Sequence, residues 1–269
     1  MSTISICTDS SSLLTEETAA RLGVDVVPIG VALGGKPFDE RVASLDDFYN
    51  ELRAGVTATT SLPSPADFDG AYQRAAELGA EAVVSIHLDA RASGTIAAAE
   101  LAARHAAVPV TVVDTRTASF GVSLCVRVAA DVIGVGGSPD DAARAASQLG
   151  ASLRNAFVAR FAPGGRVPTT ESWVALSFRD GASFPLAECS SVDEAVALLA
   201  ACVAQAEGRV ATAVGHAARE LEPAADDLAR ALEDGGCPVE RYRVGAAVGA
   251  HTGPDSFGAF WWPVSATRP

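Results

Sequence analysis

Residues 82–113 read AVVSIHLDARASGTIAAAELAARHAAVPVTVV, and the order of their apolar and alanine-rich parts decides the fold. Ala82 to Leu88 is a nearly continuous apolar run of strand length, and Val108 to Val113 is a second one. Between them, Gly94 to Ala106 is rich in alanine and predicts a helix. Fully apolar strands that alternate with helices are typical of a parallel sheet covered on both faces.

The same alternation continues on both sides of this stretch. Ser5-Ile6-Cys7 and Val24 to Leu33 predict strands, and Val122 to Val135 predicts an apolar helix. A further helix starts at Ser64-Pro65-Ala66-Asp67, which supplies a capping hydroxyl, a proline at the first helical position and an acid in the first turn. The series predicts an α/β fold with an N-terminal doubly wound, mostly parallel sheet.

The pattern changes after a helix predicted near residues 138–151. Strands, a hairpin turn and helices then follow, at Ala156 to Phe161, Trp173 to Phe178, Asp180-Gly181, Ser183 to Cys189, Asp193 to Glu207, Val210 to Val214, Glu222 to Glu233, Val239 to Val248 and Phe257 to Val264. They predict a smaller C-terminal α+β domain with a mixed or antiparallel sheet. With a boundary near Asn155, the domains would be 1–155 and 156–269.

Composition excludes several classes of function. The chain has 33 acidic and 20 basic residues and a formal charge of -13, which disfavours binding to nucleic acid. It lacks an apolar run of about 20 residues and a signal peptide at Met1, so we expect a cytoplasmic protein without integral membrane association. The five cysteines are scattered, and neither they nor the histidines have metal-ligand spacing, so we predict no disulfide framework, no metal and no cofactor.

Hydroxyl-bearing segments follow several of the predicted strands. They include Thr8 to Ser12, Thr59 to Ser64 and Ser93-Gly94-Thr95. Ligands of doubly wound sheets lie outside the carboxyl ends of the strands, and a helix that begins at Ser93 would offer backbone N–H groups to an anion. Each segment can equally be a helix cap or a turn.

A second candidate segment is His251-Thr252-Gly253-Pro254, directly after the predicted strand Val239 to Val248. A histidine can donate a hydrogen bond to an anion in either charge state. The alternative is an ordinary loop histidine.

Six short motifs follow one another along nearly the whole chain: Thr8-Asp9-Ser10-Ser11-Ser12, Thr59-Thr60-Ser61-Leu62-Pro63-Ser64-Pro65, Ser93-Gly94-Thr95, Val113-Asp114 followed by Ser119-Phe120-Gly121, Gly164-Gly165-Arg166 and His251-Thr252-Gly253-Pro254. In this order and spacing they resemble the DegV family. The resemblance implies a two-domain protein that buries a long-chain fatty acid, with the tail in the first domain and the carboxylate at the interdomain cleft. It also implies a role like the lipid-presenting subunit of bacterial fatty acid kinase, in which a separate ATP-dependent kinase phosphorylates the carboxylate.

Carried over to matching positions, the resemblance assigns the ligand-binding residues Thr60, Ser61, Ser93, Gly94, Thr95, His251 and Thr252, with Arg166 as a possible contact to the kinase. Two departures stand out. Asp89-Ala90 and Ile96 replace a serine pair and a tyrosine that relatives usually carry, and residues 188–194 are acidic where relatives are commonly basic. The second departure weakens the expectation of kinase docking.

The first domain also offers apolar side chains for an acyl tail: Phe68, Tyr72, Leu101, Phe120, Leu124, Val128 and Ile133. The competing hypothesis is a small-molecule hydrolase or transferase in which Asp9 and His251 act as acid and base and Ser93 as nucleophile. Against it, Ser93 lacks the GxSxG context, and no phosphate-binding glycine motif follows a strand. A regulatory interaction module is a third possibility.

Overall fold

The structure is a computed structural model that describes residues 3–160 and 172–264. Its strands are β1 Ile4–Asp9, β2 Val24–Val27, β3 Gly30–Leu33, β4 Lys36–Phe38, β5 Ala58–Ser61, β6 Ala82–His87, β7 Val110–Asp114, β8 Arg154–Ala159, β9 Trp173–Arg179, β10 Ala182–Cys189, β11 Val210–His216, β12 Val239–Arg243 and β13 Ser256–Pro263. Its α-helices are α1 Glu16–Leu22, α2 Leu45–Arg53, α3 Pro65–Glu77, α4 Thr95–Ala103, α5 Phe120–Gly134, α6 Pro139–Ser152, α7 Val192–Ala204, α8 Glu222–Asp234 and α9 Ala246–Thr252. Short 3-10 turns span Ser10–Ser12 and Arg219–Leu221.

The described chain forms two compact units. Unit 1 comprises residues 3–30, 61–151 and 180–182, and unit 2 comprises residues 31–60, 152–160, 172–179 and 183–264. This division differs from the predicted 1–155 and 156–269, because residues 31–60 group with the second unit. The reason is an apolar cluster within unit 2, in which Phe48 and Tyr49 of α2 pack against Ala217, Ala218 and Val244.

Unit 1 is built on a parallel sheet with the strand order β2-β1-β6-β7. Every residue of the central strand β6 is buried. On one face, Cys7 and Val83 pack in a cluster with Phe68 and Tyr72 of α3 and with alanines of α4. Helix α5 packs against β1 and β6, and because strand side chains alternate between faces, it covers the opposite one. The predicted α/β class and mostly parallel sheet are confirmed.

Two details of unit 1 differ from the sequence prediction. The run Val24 to Leu33 forms the two strands β2 and β3, with Pro28 in the gap where a proline supplies no N–H for a sheet. Leu101, expected to line an acyl tail, is 45% exposed on the outer side of α4.

Unit 2 contains a mixed sheet with the order β10-β9-β8-β13-β11-β12. Neighbouring strands are antiparallel at β9-β8-β13-β11, and β12 is parallel to β11. Helices α7 and α8 pack together against this sheet over a cluster that includes Leu199, Leu228 and Phe257. The sheet agrees with the predicted α+β character of the C-terminal part.

The predicted strand Val239 to Val248 is wrong in its second half. Strand β12 ends at Arg243, and helix α9 starts at Ala246 after Gly245 as its N-cap residue. The Ala246 N–H donates a 2.7 Å hydrogen bond to the Glu40 carboxylate, which stabilises the start of the helix. His251 therefore lies in the last turn of a short helix and not in a loop after a strand.

Candidate functional site

The N-terminus of α4 is the first part of the candidate site, and it lies in unit 1 at the carboxyl end of β6. Gly94 is its N-cap residue and provides no capping side chain. The Ser93 hydroxyl is 2.8 Å from the Thr95 hydroxyl and accepts a 3.3 Å hydrogen bond from the Thr95 N–H. Thr95 is fully buried, Ser93 is half-buried and Gly94 is exposed. Ser93 thus shapes the turn and still presents its hydroxyl beside exposed backbone.

The segment after β5 lies close to this helix start. A Cβ atom placed on Gly94 would be 3.3 Å from Leu62, the neighbour of Ser61. The Ser61 hydroxyl lies directly over Gly30, where any larger residue would displace it. The structure therefore brings Leu62 beside Gly94 within unit 1, and the neighbouring Ser61 hydroxyl lies over Gly30.

Thr60 and His251 form a second group, in unit 2. The Thr60 hydroxyl is 2.9 Å from Nε2 of His251, although 191 residues separate the two in the chain. Thr60 is half-buried and His251 is exposed. The neighbouring Thr252 accepts a 3.0 Å hydrogen bond from the Ser256 hydroxyl, which anchors the end of α9. Arg166, the expected contact to a kinase, lies outside the described residues.

Asp89, in the loop before α4, is buried, and its charge is compensated by Arg91. Arg91 holds it through Nε at 3.1 Å and Nη2 at 3.0 Å, and the Arg91 N–H adds a bond of 2.8 Å. Burial alone would raise the pKa of Asp89, but these bonds from Arg91 hold it below its ordinary value. The carboxylate is thereby paired, so its charge opposes an anion at α4 much less than a free carboxylate would.

A buried chain of polar side chains, which the sequence did not predict, joins Asp9 to His87. Nδ1 of His87 lies 2.9 Å from Asp9, and its Nε2 lies 2.7 Å from the Ser85 hydroxyl. The Tyr72 hydroxyl donates to Ser85 at 2.9 Å, and all four side chains are at most 1% exposed. Burial raises the pKa of Tyr72, which keeps the phenol a neutral donor. Ser85 and His87 are two residues apart on β6, so their side chains lie on the same face of the sheet. This spacing of two polar residues in an apolar strand could have predicted their contact.

This buried polar chain bears on the hydrolase alternative. One oxygen of Asp9 contacts His87, and the other accepts from the backbone N–H and hydroxyl of Ser11 at 3.0 and 2.5 Å. A fully buried carboxylate with both oxygens bonded has no access to substrate and favours a structural role for Asp9.

Other classes of site find little support in the described part of the chain. Across residues 3–160 and 172–264, no group of three His, Cys, Asp or Glu side chains could hold a metal ion. The five cysteines are free thiols, and burial raises the pKa of Cys7 and Cys125 above the ordinary thiol range. None of the described helices combines the length and apolar character needed to cross a bilayer.

Together these features define a two-unit α/β protein whose hydroxyl groups collect at the carboxyl end of a parallel sheet and at one helix N-terminus. The chain belongs to the DegV family, a family of uncharacterised proteins whose model matches residues 3–264. A DegV domain-containing protein of Streptomyces coelicolor is 34% identical, over 95% of this chain and 96% of its own length.

Solved structures show the same fold. A DegV family protein of Thermus thermophilus, described as fatty-acid-binding, is 29% identical with a TM-score of 0.87, and the match covers 97% of this chain and 100% of that one. A Thermotoga maritima protein described as having a fatty acid binding function is 21% identical with a TM-score of 0.86, over 98% and 100% of the two chains. At 21% identity, the Thermotoga protein shows only that the two chains share a fold.

Proposed function

We propose that this protein binds a long-chain fatty acid, with the tail buried in unit 1 and the carboxylate held by the hydroxyl groups of the candidate site. The observation that carries the proposal is the N-terminus of α4, where Ser93 and exposed backbone at Gly94 stand beside the Ser61 segment. The likeness over the whole chain to the Thermus protein described as fatty-acid-binding supports the same ligand.

The electrostatics of the α4 N-terminus favour a carboxylate. The first N–H groups of a helix lack intrahelical partners and carry partial positive charge, so an anion there is stabilised. Glycine at the N-cap lets the anion approach the backbone closely. Asp89 is a buried acid near the N-terminus of α4, and its ion pair with Arg91 reduces its repulsion of a bound carboxylate.

The family resemblance also assigns Thr60 and His251, which lie within unit 2, to the ligand. Their 2.9 Å contact holds the imidazole in one orientation, and the ring can donate from either nitrogen as its tautomer and charge allow. Because the pair contains no fixed positive charge, it suits a carboxylate that stays accessible to a reaction partner. Thr252, the residue after His251, is the third predicted ligand-binding residue of unit 2.

The interior of unit 1 suits the acyl tail. Phe120 and Leu124 of α5, two of the side chains expected to line it, are buried, and the other candidates Phe68 and Tyr72 are buried on the opposite face of the sheet. Each methylene removed from water contributes about 0.8 kcal/mol, so a dozen of them contribute about 10 kcal/mol before the costs of binding. Affinity would then come from the tail, and the polar groups would set orientation.

We further propose that the bound carboxylate is presented to a separate kinase. The kinase would transfer the γ-phosphoryl group of ATP to a carboxylate oxygen, which gives an acyl phosphate and ADP. Support comes from the family resemblance and from the neutral, hydroxyl-rich headgroup site. A coupled assay for ADP with a fatty acid kinase catalytic subunit, with and without this protein, tests the step, and ADP formation independent of this protein would contradict it.

Native mass spectrometry of the purified protein tests binding directly. We expect an added mass equal to one fatty acid, which disappears under denaturing conditions. Ser93→Ala and His251→Ala should each weaken affinity about ten-fold, because each removes a hydrogen bond to a charged group. His105→Ala, at an exposed position after α4, is the matched control and should bind normally. A lipid-free protein that also fails to take up added fatty acid would refute the proposal.

A further inference from the structure

Three hydroxyl groups inside unit 1 are buried without a partner. Ser12, Thr117 and Ser123 are 0%, 3% and 0% exposed. Their side-chain oxygens accept and donate no hydrogen bond to any residue in the described ranges. Other buried hydroxyls of unit 1 are paired, such as Thr8 with the Ile86 carbonyl and Thr115 with the His87 carbonyl. The unpaired groups are therefore exceptions within this unit.

The three hydroxyls lie beyond the carboxyl ends of two strands of the parallel sheet and at the start of α5. Ser12 ends the 3-10 turn that follows β1, Thr117 follows β7, and Ser123 lies in the first turn of α5. Helix α5 packs against the 3-10 turn and against β1 and β6. The set is distinct from the buried polar chain of Asp9 and His87, whose partner Tyr72 comes from α3 on the other face. We call Ser12, Thr117 and Ser123 the interior hydroxyl subsite.

The interior hydroxyl subsite includes Ser123 in the first turn of α5. The helix has 15 residues, and no side chain makes a capping hydrogen bond from its N-cap residue Ser119. Ser119 has φ 57 and ψ -144, a backbone conformation that a serine rarely adopts. The chain thus enters α5 through an unfavourable conformation, and the Gly121 and Val122 N–H groups bond to the carbonyls of Ala118 and Ser119.

Energetics indicate what the subsite binds. A buried hydroxyl without a partner lowers stability, and a ligand group that pairs with it recovers the loss. Three neutral hydroxyls suit a neutral oxygen that can both donate and accept, since burial of a second ligand charge among them would be far costlier. In the proposed function, the acyl tail is also buried in unit 1.

We propose that the interior hydroxyl subsite binds an oxygen atom carried on the acyl chain, so that the substrate class includes long-chain fatty acids with a hydroxyl group along the tail. This inference rests on the proposed function and deepens it. The carboxylate still binds at α4, and the subsite selects among tails by hydrogen bonding. An unsubstituted tail binds as well, but it leaves the three hydroxyls unpaired.

The test compares octadecanoic acid with a series of monohydroxyoctadecanoic acids whose hydroxyl moves from carbon 3 to carbon 17. Dissociation constants come from displacement of a fluorescent fatty acid. At one position or a few adjacent ones we expect binding about three- to ten-fold tighter than octadecanoic acid, the range for one net hydrogen bond. The double variant Ser12→Ala/Ser123→Ala should lose this preference and keep its affinity for octadecanoic acid within about two-fold.

A thermal melt of the ligand-free protein provides an independent readout. Ser123→Ala should keep or raise the melting temperature, because it removes a hydroxyl that has no partner. Ser85→Ala is the matched buried control: its hydroxyl is bonded to Tyr72 and His87, so its loss should lower the melting temperature while the preference for the hydroxylated tail persists.

Three outcomes overturn the inference. In the first outcome, no hydroxylated acid binds more tightly than octadecanoic acid. This result is expected if ordered water already pairs with the three hydroxyls. Another is a preference that survives in the double variant. If no fatty acid binds at all, the proposed function fails together with the inference, whereas normal binding of octadecanoic acid without any preference overturns the subsite alone.

Discussion

His87 illustrates how single residues hold unit 1 together. The Tyr72 phenol donates to the Ser85 hydroxyl, which lies 2.7 Å from Nε2 of His87, and Nδ1 of the same ring lies 2.9 Å from the Asp9 carboxylate. The imidazole is thereby held through both of its nitrogens. Asp9 in turn orients the 3-10 turn through Ser11. Sequence alone placed His87 in a strand and Asp9 in a loop, but the link between them depends on the parallel pairing of β1 with β6.

Replacement of His87 by leucine should destabilise the protein by about 3 kcal/mol, because it leaves the fully buried Asp9 carboxylate without its partner. Urea denaturation of His87→Leu against the wild type measures the change. His105→Leu, at an exposed position, is the control and should lie within about 0.5 kcal/mol of the wild type. Equal midpoints for the two variants would show that the buried polar chain contributes little.

At the scale of elements, the loop between β6 and α4 is organised around Asp89. Its carbonyl accepts from the N–H groups of Ala92 and Ser93, and its side chain accepts from Arg91. The sequence predicted both flanking elements correctly, since each has a clear apolar pattern. It failed for β12 and α9, because Val244, Ala246 and Ala247 continue the apolar run and the partner of the new helix, Glu40, is 206 residues away.

The pairing of Asp89 with Arg91 predicts a dependence of stability on pH. The folded-state pKa of Asp89 lies below its ordinary value of 3.8, so the contribution is complete above the unfolded-state pKa and is lost as pH falls through the folded-state pKa. Asp89→Asn should therefore melt below the wild type at pH 7, and the difference should shrink as the pH falls below about 4. Melting curves from pH 7 to pH 3 measure this, and Asp69→Asn, at an exposed position on α3, is the control. A difference that stays constant over the range would mean that the charge of Asp89 is not involved.

At the scale of the whole molecule, the division into units is discontinuous. Residues 31–60 leave unit 1 after β2 and join unit 2, and the chain returns to unit 1 at residue 61. The change of sequence pattern near Asn155 indicated one boundary, but nothing local in residues 31–60 reveals their partners. Phe48 and Tyr49 are apolar in any arrangement, and only the folded cluster shows that they pack with Val244 and Ala246. The predicted headgroup residues are divided in the same way, since Thr60 belongs to unit 2 and Ser61 to unit 1.

Native-state hydrogen exchange should reveal this division. Leu228→Ala leaves a cavity in the core of unit 2 and should speed exchange at Phe48 and Tyr49 together with β11, while α3 is unaffected. Val84→Ala, in the buried strand β6, is the matched variant of unit 1 and should have the opposite pattern. Faster exchange at Phe48 and Tyr49 in the Val84→Ala variant would contradict the assignment of residues 31–60 to unit 2.

The discontinuous course of the chain also has a consequence during synthesis. Tyr49 bonds to the carbonyl of Val244, 195 residues later. At roughly 5–20 residues per second, a ribosome needs roughly 10–40 s to deliver that partner. In that interval unit 1 can assemble from residues on both sides of the 31–60 segment, while Phe48 and Tyr49 still lack their final contacts. Nascent chains of this protein would therefore expose an aromatic segment until Val244 has been translated, and a chaperone would be expected to bind there.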